Sequence, residues 1–404
     1  MKQAKVIDSG SQFHLQKVDV LIENEVIQRI DSVINAEVDQ TIESDDLHIS
    51  PGWIDIGAMC WDPGHEYRED RSSLKAAAAN GGYTKVFIWP NTDPIIDNKA
   101  QYQYYSGDNK KCEVELYPIC SITKRSEGKE LAELIDLQRS GALLFSDGLC
   151  FNGPIKELRK AMEYTKSINA QILFCPSPFD INPDGQIHES DVSISLGLPG
   201  LPTASEVMSI QKAVSIAEYT GTSVVLHNVS TKSGLSSSKS SAVASLGVSY
   251  LNLCANVKSC YDFDTNNKTI PPLRNEDDRS ELVKAVKTND INYISSNHYP
   301  LDNDVKDMEF GLAEFGASGI ETVFSGLVTY TDLLVEQIVE KLTYGPANTV
   351  GMEISQIEIG NKAELTVFDP TISWTYDKST SKSKSRNNPY FKQEMKGKVL
   401  GIVF

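Results

Sequence analysis

The sequence of 404 residues lacks the features of membrane, secreted and nucleic-acid-binding proteins. It has no run of about 18 apolar residues, the minimum for a membrane-spanning helix. Its first residues, MKQAKVIDSGSQFH, lack the apolar core of a signal peptide. The net charge of −17 disfavours nucleic acid and anionic membranes as partners. These absences predict a cytoplasmic globular protein with no nucleic-acid partner and no membrane partner.

Histidine is scarce and cysteine is unpaired. The chain has six histidines and seven cysteines, and no CxxC pair occurs. An odd number of scattered cysteines is typical of reduced thiols in a cytoplasmic protein. We expect most of them to be small core residues. They are Cys60, Cys112, Cys120, Cys150, Cys175, Cys254 and Cys260.

Apolar strand-like runs alternate with segments of helical spacing over most of the chain. The helical segments include DRSSLKAAAANGG, GPIKELRKAMEYTKSIN and TASEVMSIQKAVSIAEYTG. Eight such alternations predict an α/β protein with a (β/α)8 TIM-type barrel at residues 51–349. The eight apolar runs are LHISPGWIDI, TKVFIWPN, EVELYPIC, GALLFSDG, AQILFCP, TSVVLHNVS, VSYLNLCA and INYISSNH.

The two ends of the chain carry short strand-like runs instead. Residues 1–50 contain AKVID, KVDVLIEN and EVIQRID, and residues 350–404 contain AELTVFDP and GKVLGIVF. We expect both ends to meet in one small β-sandwich domain beside the barrel. The polar segment DKSTSKSKSRNN at 377–388 predicts a mobile surface loop.

The carboxyl ends of the barrel strands are where a functional site is expected. A dinuclear zinc site needs about four to six converging ligands. The predicted strand ends offer Asp147, His227 and His298, which are too few for such a site. We therefore expect no bound metal and keep these three as weak candidate ligands. His188 is expected on a long loop after the fifth strand.

Several short motifs follow one another in a fixed order. PGWID, KAAAANGG and PNTDP come first, and NVSTKSG, IPPLRNEDDRSELV and AEFGASGIET follow. In this order they resemble the motifs of dihydroorotases, members of the cyclic amidohydrolase group, over nearly the whole chain. The resemblance implies a zinc enzyme that interconverts carbamoyl aspartate and dihydroorotate. In that chemistry metal-bound hydroxide attacks the ring amide, and an Asp after the eighth strand moves the proton.

The resemblance also implies where metal ligands would lie, and this chain carries other residues there. The His-x-His after the first strand matches Gly57 and Met59. The Arg that would bind the substrate carboxylate matches Trp61, and the fifth-strand His matches Phe174. Glycine offers no ligand, and a thioether suits copper better than zinc. We expect Trp61 and Phe174 to fill the vacated volume.

The remaining positions of the resembled site show the same loss. The sixth-strand His matches Asn228, the catalytic Asp matches Asn297, and the substrate Asn before PPLR matches Ile270. The turn after the seventh strand, CANVKSCYDFD, has no matching His. An amide does not exchange a proton near neutral pH as a carboxylate does. We therefore expect a structural role for Asn297.

A few positions remain as candidates for ligand contact. Asn91 and Arg274 match residues that the family keeps, and Asp147 and His298 lie at strand ends. His227 precedes Asn228 by one residue, and neighbours on a strand point to opposite faces. We therefore expect His227 to pack outside the site, unless a bulge turns it inward.

Three functions are compatible with these observations. The preferred hypothesis is an inactive dihydroorotase-like protein that acts as a scaffold or subunit, with aspartate carbamoyltransferase or a second copy of itself as partner. The second is a cyclic amide hydrolase with an atypical metal site built from Asp147, His188, His227 or His298. The third is a non-catalytic module that binds a pyrimidine or ureido acid through Asn91, Arg274 and the FGASG loop.

Overall fold

The computed structural model of this chain describes residues 1–107, 114–149, 151, 153–168 and 170–404. Five of the seven cysteines are buried, as predicted, and Cys112 and Cys150 lie outside the described residues. Every helix in the described ranges is too short or too polar to cross a membrane.

Strands and helices alternate along the described chain. The strands are β1 (Ala4–Val6), β2 (Lys17–Glu23), β3 (Val26–Asp31), β4 (His48–Pro51), β5 (Trp53–Ala58), β6 (Tyr83–Ile88), β7 (Glu115–Pro118), β8 (Leu144–Phe145), β9 (Gln171–Phe174), β10 (Ile187–His188), β11 (Gly200–Leu201), β12 (Val224–Leu226), β13 (Val243–Ser249), β14 (Tyr293–Ser295), β15 (Leu365–Thr375) and β16 (Glu394–Val403). The α-helices are α1 (Arg71–Asn80), α2 (Lys99–Ser106), α3 (Leu134–Arg139), α4 (Ile155–Ser167), α5 (Asp191–Leu196), α6 (Thr203–Thr220), α7 (Lys232–Ser237), α8 (Tyr250–Cys254), α9 (Glu276–Lys287), α10 (Asn303–Lys306), α11 (Val323–Tyr330), α12 (Val335–Leu342) and α13 (Tyr344–Val350).

Eight of these strands form two larger parallel sheets, which are separate from the two-stranded parallel sheet of β10 and β11. They form one sheet in the order β5–β6–β7 and another in the order β8–β9–β12–β13–β14. Backbone hydrogen bonds join the two sheets at both edges. Cys120 N–H donates to Leu144 O over 3.1 Å, and Met59 N–H donates to His298 O over 2.8 Å. The predicted α/β class with parallel strands is confirmed.

The seventh predicted run, VSYLNLCA, is strand only in its first two residues. β13 begins earlier, at Val243, and ends at Ser249. The Ser249 hydroxyl accepts a hydrogen bond from Leu251 N–H over 3.3 Å and caps helix α8. A serine cap favours a helix start over a continuing strand, so the strand prediction was wrong for the last six residues of this run.

The two chain ends share a separate sheet of six strands, in the order β16–β15–β4–β1–β2–β3. β4 pairs in parallel with β1 and antiparallel with β15, so strands from both chain ends lie in this sheet. The first apolar run therefore divides between two sheets, with β4 here and β5 in the parallel part. The packing of this sheet as a sandwich and the domain boundaries at 50 and 350 stay predictions.

Successive residues of the parallel strands face two different apolar clusters. The interior cluster includes Ile56, Trp89, Leu173, Val225 and Tyr293. The outer cluster, which packs against the helices, includes the strand neighbours Ile88, Ile172, Phe174, Val224 and Leu226. This alternation is the period-two pattern of a pleated strand, and it decides which side chains can reach the candidate site.

The polar segment 377–388, called the strap below, is held in place by hydrogen bonds. Asn387 Nδ2 donates to Tyr299 O over 3.0 Å and to Gly316 O over 3.1 Å. Lys382 N–H donates over 2.7 Å to the carboxylate of Glu321, which is buried. The prediction of a mobile loop was wrong because a buried carboxylate needs donors, and the polar strap supplies them.

We expect Asn388→Ala to loosen the strap. Asn388 is buried, and its amide donates to Thr322 Oγ1 over 3.0 Å. Removal of a buried amide leaves its partners unpaired and costs about 1–3 kcal/mol of unfolding free energy. Urea unfolding measures the loss, and trypsin is expected to cut the strap faster at Lys382 and Arg386. The exposed Lys378→Ala is the control; equal cleavage of both variants would contradict the assignment.

Candidate functional site

Gly57, near the end of β5, adopts a backbone conformation that excludes larger side chains. Its φ angle is +90°, in the region that favours glycine. A Cβ atom added at this position would lie 2.7 Å from Trp89 Cζ2 and 2.8 Å from His227 Nε2. Non-bonded carbon contacts need about 3.5–4.0 Å. The position that matches the first ligand of His-x-His is therefore filled from two other strands.

His227 points into the interior, contrary to the expectation that it packs outside the site. Its ring lies 5.2 Å from the Trp89 ring, and its Nδ1 lies 2.8 Å from the hydroxyl of Tyr293. The register of β12 against β13 shifts between Val224 and Val225. Val225 faces the interior cluster, and His227, two residues further, has the same orientation. The outward expectation was wrong because Val225, and not Leu226, faces the interior, so the period-two pattern of the strand directs His227 inward as well.

The imidazole of His227 is held in its neutral form. Burial lowers its pKa from 6.5 to about 3. Its Nε2 has no hydrogen-bond partner among the described residues and faces Gly57. A neutral imidazole against a glycine and an indole is an arrangement for packing, and it places no charge at the centre of the site.

Phe174 lies on the other face of its strand from the site, which corrects the expectation that it fills the vacated volume. It belongs to the outer cluster, and the Nζ atom of Lys212 on α6 lies 5.9 Å from its ring centroid. Cys175, the next residue, belongs to the interior cluster and is buried. The pleat therefore places Cys175, and not Phe174, toward the position of a fifth-strand ligand.

Met59 and Trp61 fill the upper part of the interior. Both are buried and belong to the interior cluster. The indole N–H of Trp61 donates to Pro300 O over 2.6 Å, and its ring lies 5.4 Å from that of Tyr299. The guanidinium of Arg68 lies 4.9 Å from the centroid of the Trp61 ring. The structure therefore places Trp61 as an apolar plug fixed by its polar atom.

Asn228 and Asn297 join the ends of the sixth and eighth parallel strands. Asn228 Nδ2 donates to Asn297 Oδ1 over 3.1 Å, and Asn297 Nδ2 donates to Ile270 O over 2.9 Å. Ser295 Oγ donates to Asn228 Oδ1 over 2.6 Å. Both asparagines have positive φ angles, 57° and 47°, which this residue type tolerates. The two asparagines, which match a metal ligand and the catalytic Asp of the resembled site, are therefore connected by a hydrogen bond between their side-chain amides.

The carboxylate of Asp147 accepts hydrogen bonds from the loop after β7. Its Oδ1 accepts hydrogen bonds from Ser121 Oγ over 2.8 Å and Thr123 N–H over 2.9 Å, and its Oδ2 accepts from Thr123 Oγ1 over 2.7 Å. Burial raises the pKa of this carboxyl in spite of these bonds. Asn91 Nδ2 donates to the Asp147 carbonyl over 3.2 Å. The hydrogen bond between Asn91 and Asp147 therefore holds together the loops that follow β6 and β8.

Arg274 forms a buried ion pair away from the interior cluster. Its Nη2 lies 3.2 Å from Oε2 of Glu206, and its Nε donates to Ser230 Oγ over 2.9 Å. Its Nη1 lies 3.3 Å from Nδ1 of His188. Burial and the nearby Arg274 lower the pKa of His188 to about 4, so this imidazole is neutral at pH 7. Arg274, the last residue of the PPLR motif, therefore connects its loop to helix α6 through Glu206.

His298 lies between a backbone turn and a buried carboxylate. Its Nδ1 accepts hydrogen bonds from Gly319 N–H over 3.1 Å and Ile320 N–H over 3.4 Å. Its Nε2 lies 3.6 Å from Glu69 Oε2, and Glu69 also accepts from the strap residue Ser383. His298 therefore belongs to the contact between β14 and the strap.

Three buried carboxylates were missed as organising residues by the sequence interpretation: Asp55, Glu69 and Glu206. Asp55 Oδ1 accepts from Ser296 N–H over 2.7 Å and connects β5 to β14, and burial raises its pKa. A signal was present, because Asp55 interrupts the apolar run WIDIGA. A charged residue within a buried strand requires a partner from another strand.

Comparisons with known proteins agree on one family. A family model described as dihydro-orotase-like matches residues 48–234. The dihydroorotase of Geobacter metallireducens is 34% identical over 97% of this chain and 95% of its own length. That of Syntrophotalea carbinolica is 32% identical over 96% of this chain and 93% of its own length. The chain belongs to the dihydroorotase family.

Solved structures show the same fold. The L-hydantoinase (dihydropyrimidinase) from Arthrobacter aurescens has a TM-score of 0.81 at 17% identity, and the match covers 100% of this chain and 93% of that chain. The dihydropyrimidinase from Brevibacillus agri has a TM-score of 0.80 at 16% identity, with coverage of 100% and 92%. At these identities the likeness concerns the fold alone.

Zinc, which the dihydroorotase resemblance implies, does not fit the residues at these strand ends. Within the described ranges, no three His, Cys, Asp or Glu side chains are grouped so that they could hold a metal ion. The weak candidates Asp147, His227 and His298 each have a separate set of contacts. A zinc site needs at least about three protein ligands around one point.

We expect Gly57→Ala to destabilise the protein, and Gly57→His not to restore metal binding. A Cβ atom at this position overlaps Trp89 and His227 and strains a positive φ angle. Overpacking and left-handed strain together cost about 2–4 kcal/mol. Urea unfolding and zinc analysis test both variants. Gly107→Ala is the matched control, since an added Cβ there meets nothing within 4 Å. Equal stability of the two alanine variants would contradict this packing.

We expect the stability to fall in acid because His227 must fold in its neutral form. Its pKa is about 3 in the folded protein and 6.5 otherwise. As the pH falls below 6.5 the unfolded chain binds the proton first, so stability declines until about pH 3. At pH 5 this one group accounts for about 2 kcal/mol relative to pH 8.

Urea unfolding of the wild type and His227→Gln at pH 5 and pH 8 isolates this contribution. The variant is expected to lose about 2 kcal/mol less than the wild type between these pH values, whatever its absolute stability. The exposed His65→Gln is the control and should keep the wild-type pH dependence. An unchanged pH dependence in His227→Gln would show that this imidazole is not buried in the neutral form.

Proposed function

We propose that this dihydroorotase-family chain lacks dihydroorotase activity and acts as a non-catalytic scaffold or subunit. The observation that carries the proposal is the packing of His227 and Trp89 against Gly57. Side chains from two strands occupy the volume in which a first-strand ligand would have to lie. A single substitution at Gly57 therefore has no room to rebuild the ligand.

The loss of metal ligands bears directly on the reaction. Bound zinc lowers the pKa of water from about 15.7 to about 7. At ~1.36 kcal/mol per pKa unit, this is about 12 kcal/mol of help in forming hydroxide. Asn297, at the position of the proton-transferring Asp, is a neutral amide already bonded to Ile270 O and Asn228. These two features support the proposal that dihydroorotase chemistry is lost.

The fold supports a retained scaffold. We propose that the two parallel sheets close into one (β/α)8 barrel, because hydrogen bonds join them at both edges and the hydantoinases share the fold over the whole chain. Asp55, Glu206 and Arg274 maintain buried contacts between strands and loops. These contacts stabilise the fold without metal ligands, and a stable fold is what a structural subunit requires.

The other two hypotheses have less support. Asp147 and His188 are buried and bound to other loops, Asp147 to Ser121 and His188 to Arg274. Arg274 is buried in an ion pair with Glu206, so its guanidinium N–H groups are not available to bind a ureido acid. We therefore propose neither an altered hydrolase nor a small-molecule module, and take aspartate carbamoyltransferase as the proposed partner.

We expect protein purified without chelators to contain far less than one zinc ion per chain and to form no dihydroorotate from carbamoyl aspartate. Elemental analysis and a dihydroorotase assay measure both quantities. The dihydroorotase of Geobacter metallireducens, treated in the same way, is the positive control. Stoichiometric zinc and turnover, both lost in His227→Gln or His298→Gln, would contradict the proposal.

The scaffold role has its own readout. We expect the chain to co-elute from a sizing column with the aspartate carbamoyltransferase of the same organism, at a larger size than either protein alone. Elution of the two proteins at their separate volumes would contradict the subunit role and leave the loss of activity standing.

A further inference from the structure

Two neighbouring segments that follow β13 and β14 expose large apolar side chains. Tyr261 and Phe263 are 48% and 47% exposed, and Met308 and Leu312 are 46% and 66% exposed. Single exposed apolar residues are ordinary, whereas several on adjoining segments mark a contact surface. We call residues 261–264 and 304–312 the acidic apolar face.

The two segments of this face are joined underneath. The rings of Phe263 and Phe310 lie 6.4 Å apart, and Thr265 Oγ1 donates to Lys306 O over 2.6 Å. Phe310 also packs in a small buried cluster with Val257 and Cys260. The exposed side chains are therefore held by a packed base, which lowers the entropy that a partner must overcome on binding.

The exposed charges of the face are acidic. Two lysines beneath the face point inward: Lys268 Nζ donates to Phe310 O over 2.7 Å, and Lys306 Nζ donates to Glu314 O over 2.9 Å. Burial lowers their pKa values to about 8 and about 7, and in Lys306 the neighbouring Lys268 adds to the effect. The exposed Lys258 precedes the face by three residues and is not part of it. The outward carboxylates alternate with the apolar side chains; they are Asp262, Asp264, Asp304, Asp307 and Glu309.

We propose that the acidic apolar face binds a partner protein through arginine and lysine side chains that surround an apolar centre. The inference rests on the proposed scaffold role and names the surface that performs it. Charge complementarity favours a basic partner, because a second copy would set like carboxylates against each other. The face follows the carboxyl ends of β13 and β14, so the bound partner covers the loops that would carry catalytic groups in the resembled enzymes.

The test uses the full-length chain and the aspartate carbamoyltransferase of the same organism as the probe. One variant removes apolar contacts, Phe263→Ser with Leu312→Ser, and another removes charge, Asp262→Asn with Asp307→Asn. The controls are Tyr219→Ser, which alters an exposed aromatic residue on α6, and Asp45→Asn, which alters an exposed carboxylate. The melting temperature of each variant shows that it is folded, and titration calorimetry measures affinity at low and high salt.

We expect each face variant to weaken binding at least tenfold and each control to leave it unchanged. The wild-type affinity should fall as salt rises, and the charge variant should show a smaller fall. If the wild type binds and folded face variants bind equally well, the face is wrong and the scaffold role stands. If the wild type does not bind, the proposed subunit role fails and this inference fails with it, while the proposed loss of activity stands. Self-association of the chain that is abolished by the apolar variant would also overturn the choice of a basic partner.

Discussion

The contact between Gly57 and the imidazole of His227 determines much of the architecture at the strand ends. Two side chains cannot occupy one volume, and a protein interior is too densely packed to hold a spare one. Once strand β12 directs His227 inward, β5 can carry only glycine at this position. Trp89 then packs against both, and Met59 and Trp61 close the space above them. The strand ends therefore enclose a packed apolar core, and the described residues leave no open cleft at this position.

Buried polar groups elsewhere have become structural supports. Glu206 and Arg274 form a buried pair outside the interior cluster, with Ser230 and Thr231 donating to the carboxylate. Asn228 and Asn297 connect two strands by their amides. Buried polar networks are costly when only partly satisfied, which gives each of these residues a reason to persist without catalysis.

The sequence predicted the order of elements well, since apolar runs and helix caps act locally. The fate of individual site residues was harder to predict. Phe174 and His227 were assigned to the wrong faces because a shift of one residue in register reverses a strand. The strap was predicted to be a mobile loop because its composition is polar. Its partners lie far earlier in the chain, Glu69 by 314 residues and Glu321 by 61 residues, so no local pattern reveals them.

The strap and the terminal sheet also impose an order on the formation of this protein. β4 needs β15 as its neighbour, and Glu321 needs the backbone donors of the strap. Contacts between residues far apart in sequence form slowly, because the loop between them must close first. Until residues 365–403 have been synthesised, β4 lacks its antiparallel neighbour and Glu321 lacks the backbone donors of the strap. For this family member, the segment from β15 to β16 therefore supplies the second half of contacts whose first half is synthesised much earlier.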